Sequence, residues 1–239
     1  MAGMDISGEA PTDAAPTSAD AAAPLAPNGA TAPTVGFDLD LTLLDTRPGI
    51  KAAFQAFSAD VGVPIDADLV VSRLGPPLAH ELAHWFPEER VPEMVKRYRA
   101  FYGVHAIEPT VPMPGARDAI QAVSERGGRT LVVTAKNEPH AKLHLAHLGM
   151  EPDAVVGDLW AEGKAEALRA HGATVYVGDH VGDVRGARTA GALSVAVATG
   201  PCAPEELRAA GADVVLADLT DFRPWWEGYL RGLRGGGAA

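Results

Sequence analysis

Two aspartates, Asp38 and Asp40, interrupt an apolar run in the segment TVGFDLDLTLLDT, residues 34–46. A carboxylate that folding removes from water is costly unless a cation or hydrogen-bond donors offset its charge. The alternation lets Leu39 point into a core while both acids reach one site. The pattern therefore predicts a site that uses a pair of carboxylates, for catalysis or for binding a cation.

Polar residues also follow two other runs of the apolar, β-branched type that is typical of strands. The run TLVVT (130–134) ends in a threonine, and TVYVG (174–178) is followed directly by an aspartate. Ligands of open parallel sheets bind at the carboxyl ends of the strands, where such side chains meet. The further candidate site residues on and near these segments are Thr134, Ala135, Lys136, Lys164, Asp179 and Asp183.

The elements that must position these residues alternate along the chain. Short β-branched runs, separated in the second half of the chain by helical patterns, predict an α/β fold with a doubly wound, Rossmann-like parallel sheet. The predicted strands are TVGFD (34–38), TLVVT (130–134), DAVVG (153–157), TVYVG (174–178), LSVAVA (193–198) and DVVLA (213–217). The predicted helices after the second strand are 138–148, 163–171, 182–190 and 204–210.

Between the first strand and TLVVT the patterns are helical, and the stretch is too long for a single crossover connection. We therefore predict an inserted α-helical cap domain over residues 47–112, with the core formed by 33–46 and 113–230. The Ala/Pro/Thr/Asp-rich residues 1–32 are predicted to be a disordered tail, and residues 231–239 a flexible C-terminus. The segment FRPWWEGYL is expected to be a helix that docks Trp225 or Trp226 on the core.

Composition excludes several classes of partner. The chain of 239 residues has a formal net charge of −11 and no basic block, which argues against nucleic acid and anionic membranes. No apolar run approaches the roughly 20 residues that span a bilayer, and the amino terminus lacks the features of a signal peptide. The single cysteine, Cys202, fits a reducing compartment. We expect a cytoplasmic protein that is a monomer or a homodimer.

Three or four carboxylates, from Asp38, Asp40, Asp179 and Asp183, would meet at this edge of the sheet, together with a lysine and a hydroxyl. Carboxylate oxygens are the ligands that Mg²⁺ prefers in proteins. The metal would offset the clustered negative charge and admit a phosphate group. The sequence therefore predicts a magnesium site that admits a phosphate group.

The segments FDLDLTLLDT, VVTAK, EGKAEAL with Lys164, and VGDHVGD occur in the order and at the spacing of four motifs of the haloacid dehalogenase superfamily. Over residues 35–225 the chain resembles the phosphoglycolate-phosphatase-like branch, whose members carry a helical cap. Two positions depart from the pattern. Leu41 replaces a common glycine, and His180 stands where a small hydroxyl residue is usual, close to the metal edge.

The resemblance implies a role for each motif residue. Asp38 would attack phosphorus to form an aspartyl-phosphate, and Asp40 would protonate the leaving alkoxide and then activate water. Mg²⁺ would be held by Asp38, the main-chain carbonyl of Asp40, and Asp179. Asp183 would be a ligand or would orient the ligands. The phosphoryl oxygens would be bound by Thr134, Ala135 and Lys164.

Asp40 favours phosphate-ester hydrolysis, because dehalogenase and phosphonatase members of the superfamily lack an acid at this position. Two alternatives stay open. One is a β-phosphoglucomutase-like phosphomutase, although no histidine lies in the dozen residues after the first motif, where that relative carries one. The other is a non-catalytic phosphate-binding protein on the same fold, which the intact acid pair disfavours.

The cap of such enzymes contacts the leaving group, and the candidates for this contact are Arg47, Arg73 and Lys136. A small cap suggests a small anionic phosphomonoester. Phosphoglycolate, which gives the branch its name, is one candidate, and sugar phosphates and nucleotides stay open.

Histidine patterns suggest two other metal sites. HELAH (80–84) satisfies the H-E-x-x-H pattern of zinc proteases, but no histidine follows at the metzincin spacing, and we interpret it as a half-exposed cap helix. His140, His144 and His147 are spaced to share a helix face, and we predict a solvated stripe there.

Overall fold

The computed structural model of this protein describes residues 33–235, with side chains as far as residue 233. The predicted tail, residues 1–32, and residues 236–239 lie outside the described part of the chain. Residues 231–235, which the sequence assigns to a flexible terminus, continue the last helix.

Parallel strands form the central sheet, which confirms the predicted α/β, Rossmann-like fold. In chain order the strands are β1 (Thr34–Phe37), β2 (Leu44–Asp45), β3 (Val111–Pro112), β4 (Arg129–Val133), β5 (Ala154–Val156), β6 (Ala173–Gly178), β7 (Leu193–Val197) and β8 (Val214–Leu216). The main sheet has the order β5-β4-β1-β6-β7-β8, and all its pairs are parallel. Every strand expected from the β-branched runs is present.

The first strand lies in the middle of the sheet, between β4 and β6. Phe37 pairs with Val132 on one side and with Val177 on the other. The side chains of these three residues are fully buried, because helices cover both faces of a parallel sheet. This register brings the residues that follow β1, β4 and β6 to one edge.

Helices on both faces of the sheet begin and end close to the predicted positions. Trp226 on the last of them is fully buried and stacks on Phe222, as the predicted docking of this segment requires. The core helices, numbered after the four helices described next, are α5 (Ala116–Ser124), α6 (Glu138–His147), α7 (Lys164–Ala170), α8 (Val181–Ala190), α9 (Pro204–Ala209) and α10 (Phe222–Gly235).

Four helices precede β3 and pack around a hydrophobic cluster of their own. Within it the ring of Tyr98 lies 4.3 Å from that of Phe54 and 5.6 Å from that of Phe57, measured between ring centroids. The boundaries 47–112 given for a cap domain stay a prediction; below, the cap means these helices. They are α1 (Arg47–Val61), α2 (Ala67–Ser72), α3 (Leu78–Leu82) and α4 (Val91–His105).

A two-stranded antiparallel ribbon joins the cap to the core. β2 precedes α1 and β3 follows α4, and they pair Leu44 with Pro112 and Asp45 with Val111. Neither strand of this ribbon is expected from the sequence. Both passages of the chain between sheet and cap are thus held side by side.

None of the helices between residues 33 and 235 combines the length and the apolar composition that crossing a membrane requires.

Candidate active site

Asp38 lies directly beyond β1, where the backbone still follows the sheet, since its N–H donates to the carbonyl of Val177 at 2.8 Å. The ammonium of Lys164, the first residue of α7, donates to Asp38 Oδ1 at 2.9 Å and to Asp183 Oδ1 at 2.6 Å. It also lies 2.9 Å from the hydroxyl of Tyr176 on β6. Lys164 is therefore fixed between the segments that carry the predicted nucleophile and the fourth motif.

Asp179 and Asp183 form a cluster with Asp38. Asp179 follows β6 and accepts from the Thr42 hydroxyl at 3.0 Å. Asp183, in the first turn of α8, accepts from the backbone N–H of His180 at 3.1 Å. Oxygen atoms of the three carboxylates lie within 4.8 Å of one another, and all three residues are buried. The fold thus concentrates three acids around one ammonium.

This concentration shifts the pKa values of the cluster. Burial raises the pKa of Asp38 to about 7, against the opposing charge of Lys164 and with added repulsion from Asp183. Burial also raises the pKa of Asp179 well above its ordinary value, and the charges of Asp183 and Asp38 add to this. For Lys164, burial alone would lower the pKa, but the two carboxylates outweigh it and the pKa lies above its ordinary range. Lys164 stays charged, but its single positive charge does not offset the three acids of the cluster.

Asp40 lies on the wall of a cavity of about 370 Å³ between the sheet edge and the cap. The hydroxyl of Thr46 donates to Asp40 Oδ1, and Lys136 Nζ lies 3.1 Å from the same oxygen. The Lys136 ammonium also donates to the hydroxyl of Tyr102 on α4 at 2.5 Å. Asp40 is thus held by two neighbours and still faces the space that a leaving group would occupy.

Thr134 and Ala135 follow β4, the neighbour of β1. Thr134 is buried, its N–H donates to the carbonyl of Val156 at 3.0 Å, and its hydroxyl accepts from the N–H of Lys136 at 3.2 Å. Ala135 lines the cavity. Both residues therefore lie at the sheet edge that carries Asp38, and their binding of phosphoryl oxygens stays a prediction.

Leu41 has a backbone conformation that explains why glycine is common at this position. Its φ is 60°, in the left-handed region that costs a residue with a Cβ about 1–2 kcal/mol. Its N–H donates to the carbonyl of Leu44 at 2.8 Å, and its carbonyl accepts from the Thr199 hydroxyl at 2.6 Å. These bonds and a buried side chain hold the tight turn after Asp40.

The structure brings two of the three basic cap candidates to the cavity. Arg73 and Lys136 line it, whereas Arg47 does not. The guanidinium of Arg47 donates to both carboxylate oxygens of Asp45, each at 2.8 Å. This ion pair at the start of α1 holds Arg47 outside the cavity lining, so its predicted contact with the leaving group is not supported.

The prediction of a solvated histidine stripe is wrong at its central member. His147 is exposed and His140 is half-buried, but His144 is fully buried. His144 Nε2 lies 2.8 Å from the hydroxyl of Tyr102, and burial lowers the pKa of His144 to about 3, with the charge of Lys136 adding to this. The reason is that α4 of the cap packs over this face of α6.

The HELAH segment shows no zinc-protease arrangement. Helix α3 ends at Leu82, so His84 lies beyond its end. Glu81 accepts from Trp85 Nε1 at 2.8 Å and from the guanidinium of Arg73. The glutamate that would be the base of a zinc protease is therefore already engaged in hydrogen bonds. Within residues 33–235 the acidic cluster of Asp38 is the group that could hold a metal ion.

His180 is part of the contact between core and cap. It caps α8, where its Nδ1 accepts from the N–H of Gly182 at 3.0 Å, and its ring lies 5.0 Å from that of Trp160. A methyl group added to Gly75, in the loop between α2 and α3, would lie 2.9 Å from the His180 ring. Burial lowers the pKa of His180. The imidazole therefore packs between a core tryptophan and a cap loop.

Sequence reasoning missed three hydroxyls that organise the site: those of Thr46, Tyr102 and Tyr176. Tyr176 is the polar side chain in the buried part of β6, where a hydroxyl requires a partner; that signal could have found it. Thr46 and Tyr102 carry no such signal, because Thr46 reaches Asp40 through the turn between them and Tyr102 gains its partners from the packing of α4 on α6.

Comparison with known proteins decides the family. The sequence profile of haloacid dehalogenase-like hydrolases matches residues 35–197. The chain belongs to this family. A phosphoglycolate phosphatase of Caulobacter vibrioides is 31% identical over 81% of this chain and 89% of its own length. Tyrosine-protein kinase PtkA of Mycobacterium tuberculosis is 30% identical over 69% of this chain and 61% of its own length.

Structural comparison agrees with the sequence comparison. The structure of a haloacid dehalogenase-like hydrolase from Streptococcus pneumoniae superimposes with a TM-score of 0.72 at 25% identity, covering 81% of this chain and 98% of the other. Membership of the family confirms the resemblance drawn from the four motifs. The protein is a hydrolase of the haloacid dehalogenase-like family.

Proposed function

We propose that this protein is a Mg²⁺-dependent phosphatase that hydrolyses a small phosphomonoester through an aspartyl-phosphate on Asp38. One observation carries the proposal. The buried carboxylates of Asp38, Asp179 and Asp183 converge within 4.8 Å around Lys164, while Asp40 faces the adjoining cavity. A nucleophile, a charge-stabilising cluster and a separate acid are thus arranged around the space for one phosphate ester.

The acidic cluster fits a divalent cation. Its donors are carboxylate oxygens, which suit Mg²⁺ better than they suit softer metals. Burial raises the pKa values of Asp38 and Asp179, which indicates that Lys164 alone does not offset the three acids. We infer that Asp38, Asp179 and Asp183 would hold the ion. When bound, it would neutralise charge on the phosphoryl group and favour the ionised form of Asp38.

The side chains then divide the reaction between them. A carboxylate oxygen of Asp38 forms a bond to phosphorus as the bond to the leaving oxygen breaks, and Asp40 gives that oxygen its proton. Asp40, now ionised, takes a proton from water, which attacks the phosphorus of the aspartyl-phosphate and releases inorganic phosphate. Lys164 holds Asp38 in place. Thr134 and Ala135 bind phosphoryl oxygens in this proposal, which their position at the sheet edge that carries Asp38 supports.

The same proposal covers location and partners. We expect a cytoplasmic enzyme, monomeric or homodimeric, whose partner is a small phosphate ester rather than nucleic acid or a membrane. The free thiol of Cys202 and the net charge of −11 support this.

The test is a panel of phosphomonoesters assayed for phosphate release with Mg²⁺ and with EDTA. The wild-type protein is expected to hydrolyse para-nitrophenyl phosphate in a Mg²⁺-dependent manner, and Asp38→Asn is expected to fall below a tenth of that rate while staying folded. Asp221→Asn, the same substitution at an exposed position, is the matched control.

Other products would redirect the assignment. Conversion of a sugar phosphate into its isomer, dependent on a bisphosphate, would favour the phosphomutase. Transfer of phosphate from ATP to a tyrosine, the activity named for the mycobacterial relative, would replace hydrolysis as the main reaction. Binding of phosphate esters without turnover by the Mg²⁺-loaded protein would leave the non-catalytic alternative.

A further inference from the structure

The cavity beside Asp40 has a wall that is mostly apolar. Side chains of the cap form much of it, and they belong to the hydrophobic cluster of the four cap helices or pack against it. Burying apolar area of a ligand against such a wall is favourable by about 25 cal/mol per Å². The apolar residues of this wall include Ile50, Phe54, Val70, Leu74, Val95 and Tyr98.

Three basic side chains also line the cavity, and each is paired with a carboxylate. Arg73 donates to Glu81 through Nε at 3.1 Å and through Nη2 at 2.5 Å, and Trp85 holds Glu81 from the other side. The other two pairs are Arg99 with Asp158, at 2.7 Å, and Lys136 with Asp40, at 3.1 Å.

His140 adds little positive charge to this wall. His140 also lines the cavity, stacked on Tyr102 with 4.7 Å between ring centroids. Burial lowers its pKa, and the charges of Lys136 and Arg99 lower it further, so the ring is neutral near pH 7. His80 and His84 line the cavity as well, on the solvent-exposed side of the cap. The lysine and both arginines of the wall are therefore balanced by acids.

We infer that this cavity takes a phosphomonoester whose leaving group is uncharged and largely apolar, and that it discriminates against a leaving group with a carboxylate. The inference rests on the proposed function and narrows its substrate class. A carboxylate in the leaving group would have to displace Glu81 from Arg73 and leave an acid unpaired, which is costly because this pair is partly buried. Phosphoglycolate is then a poor substrate.

The test compares esters that differ in one charge. We pair propyl phosphate with 2-phosphoglycolate, and phenyl phosphate with 4-carboxyphenyl phosphate, and measure kcat/KM for each in the Mg²⁺-loaded enzyme. The neutral member of each pair is expected to be about tenfold better or more, the discrimination typical of one mismatched group in a pocket. A preference for the carboxylate members overturns the inference. If that preference is lost in His80→Gln or His84→Gln, the inference is overturned as well.

A cap variant tests the charge pairing itself. Glu81→Gln keeps the shape of the side chain but frees the charge of Arg73, so the ratio of kcat/KM for 2-phosphoglycolate to kcat/KM for propyl phosphate is expected to rise about tenfold, through KM. Glu93→Gln, on the exposed side of α4, is the matched control. Absence of any gain in Glu81→Gln overturns the inference. Para-nitrophenyl phosphate separates the two proposals, because its turnover supports the phosphatase whichever charge the cavity prefers.

Discussion

Asp38 and Asp40 are separated by Leu39 alone, yet their surroundings suit them to different tasks. Asp38 is buried and receives the ammonium of Lys164, which holds one oxygen toward the acidic cluster. Asp40 is more exposed, is held by a hydroxyl and an ammonium, and lines the cavity. A fixed nucleophile and an acid that exchanges protons with the leaving group require this difference.

The first prediction separates these roles. Asp40→Asn is expected to slow both formation and hydrolysis of the phosphoenzyme, by roughly the 10²–10⁴-fold typical of a general acid or base. Para-nitrophenolate departs without a proton, so the first step is expected to lose less with para-nitrophenyl phosphate than with an alkyl phosphate. Rapid-quench kinetics on both substrates measures this, and the aspartyl-phosphate is expected to accumulate and be trapped by acid.

The same experiment has clear contrary outcomes. An equal loss on both substrates, with no trapped intermediate, would remove Asp40 from the role of acid. A collapse of Mg²⁺ affinity in Asp40→Asn would instead make its side chain a metal ligand. Asp221→Asn, which changes an exposed aspartate directly before α10, is expected to match the wild type in every step.

At the scale of elements, the sequence predicts what short segments encode. Each strand of the main sheet is a β-branched run, and the carboxyl-end rule then places Asp38, Thr134 and Asp179 at one edge without knowledge of tertiary packing. The ribbon of β2 and β3 is not predictable in this way, because two residues a strand show no alternation. Its existence depends on the chain leaving and re-entering the core side by side.

The contact of cap and core is the part that sequence could not supply. The spacing of His140, His144 and His147 correctly indicates a shared face of α6, but it does not reveal that α4 covers this face. Tyr102 on α4 bonds to both Lys136 and His144 there. A pairing between segments so far apart in the chain leaves no local pattern.

The second prediction tests this contact. Tyr102→Phe leaves the Lys136 ammonium without one acceptor and His144 Nε2 without its partner, and His144 Nδ1 has no protein partner among the described residues. A buried polar group without a hydrogen bond costs about 1–3 kcal/mol. The free energy of unfolding, from urea denaturation, is expected to fall by about that amount.

Tyr229→Phe on α10 is the control, since it removes a hydroxyl from a half-buried tyrosine far from the cavity. Its effect is expected to stay within about 0.5 kcal/mol. Faster proteolysis within the cap of Tyr102→Phe, with the core protected, would show that the contact holds the cap to the sheet. Equal stability of the two variants would show that it does not.

At the scale of the whole molecule, the net charge of the protein has the same sign as the charge of a phosphate ester. The net charge is −11, so the long-range field repels an anionic substrate. Attraction must be local, and Lys164 shares its charge among Asp38 and Asp183. A bound divalent cation is the group that would make this edge favourable for a phosphate.

The last prediction follows from the raised pKa of Asp38, which moves from 3.8 to about 7 on folding. Because the folded state holds a proton that the unfolded chain releases, the associated stability is present below about pH 4 and is lost as the pH rises through about 7. The melting temperature of the Mg²⁺-free protein is therefore expected to fall between pH 5 and pH 8. Mg²⁺ competes with these protons, so its stabilising effect is expected to be larger at pH 8 than at pH 5.5.

The size of that effect follows from mass action. Mg²⁺ at about 100 times its Kd adds about 2.7 kcal/mol, and a chain of this length gains about 2–4 °C per kcal/mol, so differential scanning fluorimetry is expected to show a rise of about 5–10 °C at pH 8. Asp179→Asn removes one buried charge and one ligand, and its amide oxygen still accepts from Thr42. It is therefore expected to raise the Mg²⁺-free melting temperature at pH 8 and to abolish the response to the ion. An unchanged response in Asp179→Asn would place the ion elsewhere, and identical curves with and without Mg²⁺ in the wild type would show that the acidic cluster binds none.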